Sequence, residues 1–418
     1  MKFSKPNKFQ VSLVINAVLF VVLAIVVINW VRNNTSTFTS GLTQTQVGTN
    51  NLNQENGPLY DLQPVQVGDY TLNIPTGFTI EEYASGIGSA RFFTLGPYGT
   101  IYIGTKDNDK VFAVSDSDDD GYAETVNIIE EQLTVPHSLK YYKGDLFLAE
   151  ETTVSVYRDI QPDGTYTQKE TLITDLPGGN QLTGGGHRTR TIDVGPDGMM
   201  YLTIGSLCNV CIEEDERRAT MMRFDLDGSN GEIIATGLRN TVGYDFAEDG
   251  TIWSADMGRD QIGDDIPFEE INIIEEGKDY GWPYCWGDGI ANPEFPESAD
   301  YCLNQTVHPV FNFQAHSAPL GVSFLNDSAR QSWPEPLNEG LLLAMHGSWN
   351  RTVPTGYKVV WFDLSGEQIK QYNLVSGWLD ESAEAWGRPV GLGFDDEGNL
   401  YISDDKRGVI YKMTYNGD

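Results

Sequence analysis

Residues 197–204 read DGMMYLTI, an Asp-Gly turn running straight into an apolar strand, and the phrase decides the fold because it recurs. YGTIYIGT (98–105), KGDLFLAE (143–150), DGTIWSAD (249–256), NEGLLLAM (338–345) and EGNLYISD (397–404) repeat it. Each copy is a tight turn opened by glycine, then a strand. The copies lie about 50 residues apart, and periods of that length built from several short strands indicate a β-propeller. One wider gap contains an insertion around residues 278–315. Six copies predict six blades. A sandwich would explain the strands but not the period, so the expected fold is an all-β, six-bladed propeller over residues 66–418.

The N-terminus has a different texture. Residues 11–31, VSLVINAVLFVVLAIVVINWV, are uncharged and apolar, a span of roughly 31 Å as a helix, enough to cross a bilayer. Residues 1–32 are therefore expected to be a signal anchor, a transmembrane helix, with a cleaved signal peptide as the competing reading. Lys2, Lys5 and Lys8 precede the run, which keeps the N-terminus cytoplasmic and sends the remainder to the extracytoplasmic side. Residues 33–65, polar and poor in large apolar side chains, are expected to be a flexible linker. Net charge is −33, from 60 acidic and 27 basic residues. Such a surface repels nucleic acid and anionic lipid, which excludes nucleic acid as a partner. Export permits disulfides, and nearest-neighbour pairing predicts Cys208–Cys211 and Cys285–Cys302. A zinc site would want a second close pair beside the CxxC.

If each blade's inner strand runs through the channel and the next returns antiparallel, inner-strand starts and second-strand ends share one mouth. The starts carry Arg91, His137, His187 with Arg188 and Arg190, Arg239 with Asn240, His316, and Arg388. Every blade thus offers a basic or imidazole side chain. A positive funnel inside a negative shell is expected to hold a small polyanion. The rival reading is that these groups neutralise neighbouring acids. The return ends add Lys106, residues 206–211, MGRDQIGDDIPFEEIN (257–272), HGSWNR (346–351) and DDKR (404–407).

Asp260, Asp264, Asp265, Glu269 and Glu270 concentrate hard oxygen donors in the blade-four loop, as Ca²⁺ requires. DSDDDGYAE (116–124) is a second calcium candidate: Asp116, Asp118 and Asp120 alternate, Gly121 permits the turn and Glu124 follows. An ordinary Asp-rich turn is the alternative. His187 follows three glycines, titrates near working pH, and would be kept neutral by the arginines beside it. These traits make it the candidate general base.

GGGHRTRTIDVGPDGMMYLTIGS (184–206), GLRNTVGYDF, EEINIIEEGKDYGWP and HGSWNRTVPTGYKV together resemble the glucose/sorbosone dehydrogenase family, and the sorbosone-type branch in particular. The resemblance covers roughly residues 75–415. It implies a six-bladed propeller that uses pyrroloquinoline quinone (PQQ), a planar tricarboxylate, together with calcium. Carried over by position, it implies that His187 takes the proton of a sugar's anomeric hydroxyl while hydride passes to the quinone. Arg239, with Asn240, would stabilise charge on the quinone oxygen. The main-chain carbonyls of Gly258 and Arg259 would hold calcium, with Glu269 and Glu270 as the acid pair near the metal. Arg351 and Arg388 match cofactor-binding cations. His316 and Met257 stand where the family's best-known branch has threonine and glutamine, and Ser206 replaces its histidine-orienting aspartate. That branch also lacks the IGDDIPF segment.

Together with the anchor expected from residues 11–31, the resemblance implies an exported, membrane-anchored, PQQ-dependent dehydrogenase of aldoses or related polyols, passing electrons to a quinone or cytochrome. A calcium-dependent propeller lactonase or esterase, and a propeller that only binds a glycan or protein, are the alternatives.

Overall fold

The computed structural model describes residues 59–118, 120–178 and 186–417. All six repeated phrases contribute the second strand of a blade. Blade one is Ala90–Leu95, Ile101–Thr105, Lys110–Ser115 and Thr125–Glu131; blade two is Ser138–Tyr142, Asp145–Ala149, Val154–Arg158 and Gln168–Ile173. Blade three is Arg190–Val194, Met200–Ile204, Thr220–Phe224 and Glu232–Thr236, extended by Lys278–Asp279. Blade four is Thr241–Phe246, Ile252–Asp256, Glu269–Ile274 and Phe311–Phe313; blade five is Pro319–Phe324, Leu341–Met345, Lys358–Asp363 and Lys370–Ser376.

Blade six closes the ring. It takes Pro389–Phe394, Leu400–Asp404 and Val409–Tyr415 from the C-terminal end and its outermost strand, Phe78–Ala84, from the N-terminal side. Ile80 lies opposite Met413 and Thr79 opposite Thr414, so main-chain hydrogen bonds join the two ends of the propeller. Each inner strand packs against the next, and that of blade six returns to that of blade one.

The second strands of blades one, three and five are buried at every position. Both faces of such a strand meet apolar surface, which is why it reads as an unbroken apolar run rather than an alternating one. Blades five and six share one apolar cluster containing Leu72, Phe78, Trp361 and Trp378. The inner strands approach so closely that side chains are excluded at some positions: a Cβ on Gly243 would lie 1.7 Å from the Leu320 carbonyl oxygen, and one on Gly321 would lie 2.3 Å from that of Val390.

The insertion lies where the wide gap placed it, between Glu269–Ile274 and Phe311–Phe313. It contains the short helix Ala299–Asn304 and is clasped by Cys285–Cys302. Cys208–Cys211 is the second disulfide, so the nearest-neighbour pairing is the one adopted. Leu62–Val67 and Tyr70–Pro75 form a hairpin on the outer edge of blade five, so residues 62–65 of the expected linker are strand. The apolar run 11–31, read as a transmembrane helix, and residues 33–58 of the linker lie outside the described residues. Among the described residues no helix is long and apolar enough to cross a membrane.

Gly243→Ala should lower the thermal unfolding midpoint, at a cost of about 1–3 kcal/mol, typical of overpacking. An unchanged midpoint by calorimetry would show that the inner strands can move apart freely.

Candidate functional site

Antiparallel pairing sets the head of each inner strand beside the tail of the next strand. Arg190 lies opposite Ile204, Thr241 opposite Asp256, and Pro389 opposite Asp404. The last residue of the repeated phrase therefore sits at the mouth, and in blades four and six it is aspartate. Asp256 accepts from the backbone N–H groups of Arg239 (2.8 Å), Asn240 (2.6 Å) and Met257 (3.0 Å). Asp404 does the same for Arg388, Lys406 and Arg407. A buried carboxylate thus pins the backbone of Arg239 and another that of Arg388. Burial pushes the Asp256 carboxyl up to about 6, against those hydrogen bonds and the Arg239 charge.

The Arg239 guanidinium is buried and almost fully engaged. Nε and Nη2 donate to the Asn209 carbonyl (3.1 Å) and Oδ1 (3.0 Å), while Nη1 donates to the carbonyls of Met257 (3.1 Å) and Gly258 (2.7 Å). Its nearest carboxylate oxygen is on Asp260, at 3.6 Å. Asn240 packs beside it and donates to the Met257 sulfur (3.2 Å).

His187 stands on the neighbouring blade. Its Nδ1 lies 3.1 Å from the Ser206 carbonyl and 2.9 Å from Ser206 Oγ, whose own proton goes to the Cys208 carbonyl (2.9 Å). A carbonyl only accepts, so Nδ1 carries the ring proton and Nε2 is the free base. Gly205 permits this crowding: a Cβ there would lie 2.6 Å from both His187 Cβ and Asn240 Oδ1. Burial, then the positive charge of Arg239, hold the imidazole well below its ordinary pKa, and Arg190 and Arg218 add to the effect.

Across the mouth runs a continuous chain. Arg388 Nη1 donates to His346 Nδ1 (3.2 Å), and His346 Nε2 donates to Asp405 (2.9 Å). Asp405 also pairs with Arg91 (2.8 Å), whose Nε donates to His137 Nδ1 (3.3 Å). The imidazole and guanidinium beside Asp405 hold its carboxyl well below the usual range despite burial. Burial keeps both histidines neutral. Arg388 packs over the Tyr357 ring (5.2 Å), and among the described residues its guanidinium has no carboxylate partner.

The basic groups at the blade starts are thus not one uniform funnel. Arg91 and Arg188 are matched with Asp405 and Glu151. His137 is fully buried. His316, expected to bind cofactor, donates to the carbonyls of Gly263 (2.8 Å) and Ile266 (3.2 Å) and so braces the blade-four loop. Arg351, given the same role, pairs with Asp265 (2.7 Å) and the Asp264 carbonyl. Arg190 faces inward and donates to the carbonyls of His187, Thr189 and Pro177; Arg218 meets it at Pro177 (3.0 Å). Burial, then Arg218, bring Arg190 down to about 9.

Of the residues assigned to channel calcium, Gly258, Arg259 and Glu270 line one pocket together with Asp256. Glu269 and Glu270 are consecutive on a strand and point to opposite faces. Glu269 accepts from the N–H groups of Gly258 (2.7 Å) and Ala318 (3.2 Å), Glu270 from that of Gly287 (2.6 Å). The Gly258 carbonyl is engaged by Arg239, and the Arg259 side chain turns away to Glu294. Burial pushes both glutamates up to about 8. Asp116, Asp118, Asp120 and Glu124 do come together, with oxygens within 4.8 Å of one another on an exposed turn. The turn is held by Gly121 N–H on Asp116 (2.9 Å) and Ser117 N–H on Glu124 (3.1 Å).

Asn209, His346 and Asp405 lie in the return-end segments that the sequence placed at the mouth, without individual roles. Asp256 was missed, although it ends a repeated phrase directly across from an arginine-headed strand. Asp256→Ala strips the acceptor from three backbone N–H groups, each worth about 1–3 kcal/mol when left buried and unpaired. Its thermal midpoint should fall further than that of Asp256→Asn, which keeps one oxygen. Midpoints equal to the parent's would remove Asp256 from this role.

The sequence profile of the TrAA12-like family matches residues 72–416. An uncharacterized protein of Borreliella burgdorferi is 29% identical, across 82% of this chain and 91% of that one. A pyrroloquinoline quinone-dependent pyranose dehydrogenase of Coprinopsis cinerea is 24% identical across 82% of this chain, which spans about half (54%) of that enzyme's length. The holo form of the Coprinopsis cinerea pyranose dehydrogenase PQQ domain superposes with a TM-score of 0.70 at 22% identity, covering 84% of this chain and 98% of the domain. With nearly all of the propeller inside the matched span, the chain belongs to the TrAA12-like family.

Proposed function

We propose that this protein is a PQQ-dependent sugar dehydrogenase that oxidises an aldose or related pyranose at its anomeric carbon. The observation that carries the reading is His187, a neutral imidazole with its Nδ1 proton committed to Ser206, beside the Arg239 guanidinium at one channel mouth. Related proteins named as PQQ-dependent pyranose and sugar dehydrogenases support it.

The donor set fits a flat, multiply charged anion. Arg388 has no carboxylate partner among the described residues, while Arg190 and Arg218 donate to carbonyls with Glu151 and Glu213 nearby. A guanidinium such as that of Arg388, held by the neutral acceptors His346, Ser348 and Tyr357, favours a carboxylate guest. When bound, PQQ supplies an ortho-quinone able to take a hydride. The protein's part is to hold and move charge. His187 Nε2 receives the hydroxyl proton of the sugar. Arg239, with Asn240 beside it, places fixed positive charge where negative charge develops. The Gly258 carbonyl and both Glu269 oxygens are already engaged by Arg239 and by backbone N–H groups, and nothing in this scheme passes through a metal.

The location belongs to the same proposal. The lysine-flanked run 11–31 would tether the propeller on the extracytoplasmic side, and two disulfides suit an oxidising compartment. Electrons would leave to a quinone or cytochrome.

Purified full-length chain should reduce an artificial dye with a sugar panel only after PQQ is added; lactone hydrolysis without PQQ would replace this reading. His187→Ala should abolish turnover and leave PQQ affinity within a few fold, and surviving turnover would put the base elsewhere. Arg388→Ala should weaken PQQ binding by about 1.5–3 kcal/mol, the worth of a hydrogen bond to a charged group. Unchanged affinity would take Arg388 out of the site.

The pH profile follows from the lowered imidazole pKa. The base form is complete through neutrality and is lost only as pH falls through the depressed value. The acid limb of kcat/KM should therefore lie below the ordinary imidazole value of about 6.5. A limb at or above it would contradict the buried, arginine-flanked setting.

A further inference from the structure

We infer that the loop closed by the Cys208–Cys211 disulfide is the positioning element of the site, with Ser206 setting the tautomer of His187 and Asn209 aiming the guanidinium of Arg239. The inference rests on the proposed roles of His187 and Arg239, and its contacts converge from both blades. Ser206 is fully buried. Its hydroxyl hydrogen is committed to the Cys208 carbonyl (2.9 Å), so only a lone pair faces His187 Nδ1 (2.9 Å). Its carbonyl accepts from His187 N–H (3.0 Å) and its own N–H donates to the Arg239 carbonyl (2.8 Å). One residue therefore touches both partners, on backbone and side chain.

Asn209, between the two cysteines, does the rest. Its carbonyl and Oδ1 receive two different nitrogens of Arg239, at 3.1 and 3.0 Å. Oδ1 also accepts from the Asp260 N–H (2.8 Å), while Nδ2 donates to the Asp260 carbonyl (3.1 Å). With one amide atom forced to accept and the other to donate, the side chain has one orientation. The fork it presents fixes the plane of the guanidinium. The carbonyls of Cys208 and Asn209 are both used in this way, and a four-residue ring closed by a disulfide restricts how either can turn away.

Neutral hydrogen bonds replace a carboxylate here. A negative group behind Nδ1 would raise the imidazole pKa strongly, whereas the Ser206 hydroxyl and carbonyl orient the ring with an upward pull that burial and Arg239 outweigh.

The test has two arms. The first needs no turnover: long-range ¹H–¹⁵N correlation of the full-length wild-type chain, with His187→Gln to assign the signal, should show His187 as the Nδ1–H tautomer. An Nε2–H tautomer would overturn the inference whatever the activity. The second uses Ser206→Ala, Asn209→Ala and Cys208→Ser/Cys211→Ser, each titrated with PQQ and assayed per bound cofactor. Each should lose about 10–100-fold in kcat, the usual range for groups that orient reacting residues, with KM and PQQ affinity within about threefold. A lower thermal midpoint with unchanged kcat per site would reduce the loop to a structural clasp and overturn the inference. If the wild type neither binds PQQ nor turns over, the dehydrogenase reading fails, and the NMR arm still decides the tautomer.

Discussion

Ring closure is the constraint on which everything else rests. The inner strand of blade six must pack against that of blade one, and the chain secures this by pairing Phe78–Ala84 with Val409–Tyr415 in one sheet. Segments more than 300 residues apart share one main-chain ladder, so blade six cannot form until the whole propeller has been made. Such non-local pairing is entropically costly to reach, but once formed it leaves no free blade edge at the seam. The closed ring also brings six strand heads to one mouth, which is what makes a site possible.

Within that mouth the repeat does chemical as well as architectural duty. The aspartate at the end of the phrase in blades four and six caps the backbone of the arginine that heads the adjacent inner strand. Arg239 and Arg388 are held by the same device, and differences in their side-chain surroundings separate their uses. Arg239 is locked by four oxygen acceptors and serves as a fixed charge. Arg388 rests on a tyrosine ring and a neutral histidine, with charge left to offer.

The electrostatic logic is a balance between burial and counter-charge. Asp405 is shared by Arg91 and the neutral His346, so its one negative charge is matched by Arg91 alone. Histidines 137, 187 and 346 all sit where burial is the leading influence and guanidiniums reinforce it. A neutral imidazole can accept from an arginine, as His137 does from Arg91 and His346 from Arg388. An acidic shell around this centre leaves a small anionic guest with one favourable place to go.

The six phrases, from YGTIYIGT to EGNLYISD, determined the blade count, because a buried second strand demands an unbroken apolar run after a tight turn. The same pattern placed His187, Arg239 and Arg388 at one mouth, since antiparallel return leaves no other end for them. Sequence also paired the cysteines correctly, by proximity alone. Tertiary structure decided which cations were still available. Arg188 lies 37 residues from Glu151 and Arg91 lies 314 from Asp405, and a hydrogen bond across that distance leaves no local trace. Glu269 and Glu270 looked like a pair because they are adjacent in the chain, yet strand geometry turns adjacent side chains to opposite faces. Asn209 meets Arg239 only where blade three packs against blade four. Periodicity is a local property and can be read along the chain, whereas a partner's identity depends on which distant atoms folding brings within three ångströms.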